Sequence, residues 1–239
     1  MSLIVHGKEV VYLYTYHNKA PFITDLKNEK GLSFDIAKTL SNYSSKFEYK
    51  TLYIPRKRLD GIKKKKIVLW SNPGWVKDLN QKKFLWSKKI LSDSDILIYR
   101  KTNELIYKSI ADLSGRSLVC VRGYFYPDLN FAFKSLDTER VNVNSEVQVL
   151  EMIKAQRRGI GVISLSTYRY LTERGELSSK NIKFIKGPMK SFSRHIFTSK
   201  DMTLAFKDME SLFIDKSVER SLKLSFQKYG LYLKSEEVK

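Results

Sequence analysis

Leu113-Ser114-Gly115-Arg116-Ser117-Leu118-Val119-Cys120-Val121 is the stretch on which the fold turns. The run at 117–121 is apolar and β-branched, as a buried strand is. What precedes it is already a full round of α/β structure. Residues 10–16 (Val-Val-Tyr-Leu-Tyr-Thr-Tyr) read as a strand, and Phe34, Ile36, Ala37 and Leu40 fall at helical spacing behind Ser33, a candidate cap. Residues 47–54 form a second strand closed by Pro55. A short basic helix at 56–66, a strand at 67–70 and another at 95–99 follow. At 113–121 the pattern begins again. A loop at 122–127 opens a helix through Phe131 and Phe133, and further strands are expected at 141–143, 159–165, 182–185 and 195–198. A helix carries Val147, Leu150 and Ile153, and a long one runs from Leu204 to Phe226. Strands alternating with helices imply parallel or mixed sheets covered by helices on both faces.

The 239 residues are enough for two lobes of ordinary size, and five prolines with eleven glycines leave no flexible tether between them. The net charge of +19 invites anionic partners, but the charges read as a solvated, lysine-rich surface spread along the chain. Lys63-Lys64-Lys65-Lys66 on a helix would point around its axis and form no single face. Cys120, the single cysteine, lies in an apolar run and reads as a core thiol rather than a nucleophile. No window approaches a membrane span.

The order of several short landmarks resembles the type II periplasmic solute-binding proteins, in the extracellular family 3 branch that carries amino acids and other small polar solutes. Ala20-Pro21-Phe22 and Gly31-Leu32-Ser33-Phe34-Asp35-Ile36 resemble its first loop and helix start. Ile54-Pro55-Arg56-Lys57-Arg58, Phe84-Leu85-Trp86-Ser87, Leu113-Ser114-Gly115 and the terminal Phe226-Gln227-Lys228-Tyr229-Gly230 follow in the family's order. The resemblance implies a two-lobed α/β fold, each lobe a mixed sheet flanked by helices. It also implies a monomer whose leader has been removed, working in the periplasm and handing a small solute to an ABC importer. Lobe 1 is expected at 1–99 plus 197–239 and lobe 2 at 100–196, joined by two crossing strands. The family's amino-acid clamp is missing from its usual places: 75–82 lacks the arginine, and Ser164-Leu165-Ser166 lacks the aspartate. Standard amino acids are therefore not the expected ligands.

Ligands of such folds sit at loops beyond the carboxyl ends of strands. That rule selects Tyr16, His17 and Phe22 after the first strand, and Trp70, Ser71, Asn72 and Trp75 after the third. It also selects Arg122, Gly123, Tyr124, Phe125 and Tyr126, and then Ser164, Ser166 and Tyr168. Arg122 before a glycine and a helix start is the expected charge partner of an anionic or aromatic ligand, with Arg58 a second candidate. No nucleophile elbow, P-loop or zinc-binding His-Glu-x-x-His occurs, and the three histidines lack metal-site spacing. Non-catalytic binding without cofactor or metal is the expectation. A ligand-sensing module for a signalling partner is the alternative, and a basic nucleic-acid-binding protein ranks below both.

Overall fold

The computed structural model describes residues 7–103, 105–155, 159–178, 180–185, 187 and 189–233. His6 and the ends of the first expected lobe lie outside the described residues. The described residues divide into two compact units: those within 7–18, 22–91 and 194–233 form the first, and those within 19–21 and 92–193 the second.

In the first unit, β1 (Glu9–Thr15), β2 (Phe47–Tyr53) and β3 (Ile67–Ser71) run parallel, with β1 between the others. Leu13 is buried while Tyr12 is exposed, the period-2 alternation of a strand covered unequally on its two faces. β4 (Leu85–Trp86) and β11 (Phe192–Thr198) join antiparallel, giving the order β2-β1-β3-β11-β4, with β5 (Leu91–Asp93) also on β11. α1 (Leu32–Tyr43) buries Leu32, Ile36 and Leu40 and packs against β2 and α7 (Lys216–Gln227). α1 begins at Gly31 with φ 132°, and a Cβ there would stand 2.6 Å from the Phe22 carbonyl oxygen, so only glycine fits. Ser33 is not the cap; its Oγ is buried and accepts from Trp70 Nε1 at 2.8 Å.

Two expected elements are shorter than the sequence suggests. α2 stops at Gly61 (Arg56–Gly61), so the lysine run is irregular chain, and Lys66 turns inward over Phe84 and Phe197. The long terminal helix is two, α6 (Thr203–Ile214) and α7, because Asp215 is extended and its carboxylate caps Ser217 and Val218.

The second unit holds β6 (Asp95–Arg100), β7 (Ser117–Val121), β8 (Glu139–Val143), β9 (Ile160–Ser164) and β10 (Ile182–Ile185), in the order β10-β6-β9-β7-β8. β7 is parallel to β8 and β9, and β6 antiparallel to β9 and β10. β6 thus belongs to the second sheet, not to the lobe ending at 99. Its hydrogen-bonding partners decide this, which a strand's own residues do not reveal. α4 (Glu146–Lys154) and α5 (Leu165–Glu173) flank this sheet; α3 (Asn130–Ser135) packs on the single turn at Ile110–Leu113. Gly161 lets α4 close on β9, since a Cβ there would meet Val149 at 2.5 Å. Cys120 is fully buried, and burial pushes its thiol up to about 12, so it is a core residue. Among the described residues no helix is long and apolar enough to cross a membrane.

Candidate functional site

In the first unit, the carboxyl ends of the parallel strands β1 and β3 carry an aromatic cluster around a buried arginine. Tyr16 and His17 follow β1, their rings 4.1 Å apart. The His17 ring lies 5.7 Å from Phe22 and 6.1 Å from Trp75. Arg194, at the start of β11 and 1% exposed, lays its guanidinium 4.8 Å from the Phe22 ring and 5.3 Å from that of Trp75. Its Nη1 donates to the Trp70 carbonyl at 3.3 Å and stands 3.4 Å from His17 Nε2, which is itself 3.2 Å from that carbonyl. A guanidinium on aromatic faces gains on the order of 0.5–2 kcal/mol per ring, the more so when desolvated.

Trp70 explains why this carbonyl points there. Its φ of 64° is left-handed, strained for a bulky side chain, and it lies where the β3–β11 register shifts between His195 and Phe197. The side chain itself is core: fully buried, 4.7 Å from the Phe22 ring and 6.1 Å from that of Phe226. Trp70 and Phe22 support the cluster from beneath, while Trp75 is half-exposed. Arg56 covers Tyr16 at 4.8 Å, donates to the Trp75 carbonyl at 2.8 Å and pairs with Asp60. Burial raises the pKa of the Tyr16 hydroxyl, and the nearby Arg56 and Arg194 charges only partly oppose it. Ser71 is buried. Asn72 caps the turn at Pro73–Val76 by accepting from Gly74 N. Arg58 is exposed on α2, away from these contacts.

The second unit has a separate polar cluster where β9 ends. Ser164 caps α5, and its Oγ accepts from Lys19 Nζ at 2.9 Å. That ammonium, in the short segment 19–21 that packs with this unit, also contacts Glu146 Oε1 at 2.5 Å and stands 5.5 Å from the Tyr124 ring. Ser166 donates through both N and Oγ to Asp93, at 3.1 and 2.8 Å. Tyr126 and Tyr168 are core residues. Arg122 and Gly123 are exposed. Arg122 borders a recess of about 490 Å³ with Asn142, Asn144, Gln148, Glu151 and Met152. The loop does not open a helix at once: a turn at Pro127–Leu129 intervenes before the six-residue α3. The helix-start argument for an anion beside Arg122 therefore fails.

The residues that carry the charge in both clusters were missed from sequence. Arg194, Lys19 and Glu146 lie outside the strand-end residues that the sequence selected. Pairing across 124 and more residues made each of them buried.

Two mixed sheets, each flanked by helices, define the class: the fold is the periplasmic-binding-protein-like type II fold. No family model matches the sequence, and no curated protein matches it. The solved structures that share the fold do so at low identity. One, from work on glutathione import in Gram-positive bacteria via GshT and the cystine ABC importer TcyBC of Streptococcus mutans, has a TM-score of 0.73 at 17% identity, covering 95% of this chain and 98% of that one. A mutant of ArgBP from T. maritima has a TM-score of 0.69 at 14% identity over 92% and 95%. The GluR0 ligand-binding core of Nostoc punctiforme, in complex with L-glutamate, has 0.68 at 13% over 92% and 98%.

Proposed function

We propose that this chain binds a small solute without transforming it, and delivers it to an ABC importer from outside the cytoplasm. The observation that carries the reading is the cluster at the ends of β1 and β3. A half-exposed Trp75 there adjoins His17 and a buried guanidinium, on the fold that the neighbours use to hold amino acids. The ligand class it favours is an anion or an aromatic acid. Arg194 supplies positive charge, and Tyr16 and Trp75 supply flat apolar area at low entropic cost. Arg194 takes the role that the sequence suggested for Arg122. A sensing module is the second reading, favoured by the GluR0 neighbour.

The test is a thermal-shift screen against metabolite pools, followed by calorimetric titration of each hit. Trp75→Ala is expected to weaken binding by more than about tenfold, or ~1.4 kcal/mol, while Arg58→Ala leaves it within about threefold. Equal affinities in all three proteins would remove this cluster from the binding site.

A further inference from the structure

We propose that one face of the first unit is a docking surface for an anionic bilayer. The positive charge is not evenly spread: between Arg56 and Lys89 the chain has twelve Lys and Arg against two acids, more than half of its net charge in about a seventh of its length. Those two acids are consumed internally. Asp60 accepts from Arg56 Nε, and buried Asp78 accepts from the backbone N–H of Lys82, Lys83 and Phe84 and from Trp86 Nε1.

The segments that carry the cations form one layer. Leu59 and Ile62, Val76, and Phe84 with Trp86 all pack on the single apolar cluster around Val68 and Phe197. Arg56 Nη2 ties α2 to the Trp75 carbonyl, and Lys83 Nζ ties back to the Lys77 carbonyl. With their neighbours turned inward, Lys57 and Arg58, the run 63–65, and Lys77, Lys82 and Lys83 are left exposed on the outside. From the chain's return, Asp201 accepts from Lys65 N, and Glu210 lies near Lys88.

Leu79 selects the partner. It is 78% exposed at the tip of the loop between Lys77 and Lys82. An apolar tip flanked in the chain by exposed Lys77, Lys82 and Lys83 matches a headgroup region, where ammonium groups meet lipid phosphates and the side chain enters the acyl boundary. Nucleic acid fits less well. Phe84 and Trp86, rings of this layer that would stack on bases, are partly buried in the cluster, and an exposed leucine gains nothing on a phosphate backbone. The inference does not depend on the solute reading.

Co-sedimentation with phosphatidylcholine vesicles, with and without about 30% phosphatidylglycerol, at roughly 50 and 500 mM salt tests it. The expected result is binding to the anionic vesicles at low salt, at least about tenfold weaker at high salt and on neutral vesicles. The triple variant Lys64→Glu, Lys82→Glu, Lys83→Glu should bind at least about tenfold more weakly, and Lys108→Glu, Lys134→Glu, Lys183→Glu, of the same net charge, within about threefold of the parent. Leu79→Ala should weaken vesicle binding about threefold or more and leave retention on duplex DNA unchanged. Equal losses in the two triple variants would mean a response to net charge alone and overturn the proposal. So would absence of binding to anionic vesicles, or vesicle binding that ignores Leu79→Ala.

Discussion

At the scale of single residues, burial of charge is the feature with the sharpest consequences. Lys19 and Glu146 are 5% and 2% exposed in their side chains, so each neutralises a partner that water does not reach. Removing one member leaves an uncompensated buried charge, which costs about 3–5 kcal/mol. Glu146→Leu and Lys19→Met are each expected to lose about that much in urea unfolding. The double variant should recover most of it, because two apolar side chains of similar size need no compensation. Additive losses would show that the pair is not a closed unit. None of this was legible from sequence. Tyr16, Trp75, Ser164 and Ser166 were reached by the strand-end rule, which depends only on chain order. Arg194, Glu146 and Asp93 owe their environment to distant pairing and look in sequence like solvated residues.

Elements show where local signals sufficed and where they did not. The strands at 10–16, 117–121 and 182–185 were readable because their apolar content is local. The limits of α2 and the break at Asp215 were not, since basic and apolar residues continue smoothly through both. The loop between the turn at Pro73–Val76 and β4 is organised by one carboxylate. Burial of Asp78 opposes its ionisation, but hydrogen bonds from Trp86 and from the backbone of Lys83, Phe84 and Lys82 outweigh it and hold the group below the usual carboxylate range. A pKa lowered by folding contributes stability above the unfolded value, near 3.9, and loses it as pH falls through the lower folded value. Urea midpoints should therefore drop in acid partly through Asp78. Asp78→Asn should flatten that part of the profile and lower stability at neutral pH by about 1.5–3 kcal/mol. An unchanged acid limb in the variant would assign the loss to other carboxylates.

For the whole molecule, the α/β class with helix-flanked sheets was legible, because hydrophobic periodicity and punctuation accumulate over many elements. The assignment of β6 was not, since a strand's sheet is fixed by its neighbours. The missing arginine and aspartate of the clamp argue from sequence against standard amino acids as ligands. In the second unit, Asp93 already accepts from Ser166 and Ser94, and Glu146 is paired with Lys19. Titration with the standard amino acids is expected to give dissociation constants no tighter than about 1 mM, ~4 kcal/mol. Micromolar binding of any of them would refute this.

Trp70, Trp75 and Trp86 are the three tryptophans of the chain, and all lie in the first unit. The protein thus carries an intrinsic optical label on one half only. Emission excited at the red edge of the indole band reports the surroundings of the β1–β3 strand ends and of the Asp78 loop, and is blind to the second sheet. Far-ultraviolet dichroism sees both. Followed together through a urea titration, the two signals are expected to coincide if the halves melt as one cooperative body and to separate if they do not. A solute settling beside Trp75 should shift the emission without any attached dye, so the same cuvette that measures unfolding also serves as the ligand assay.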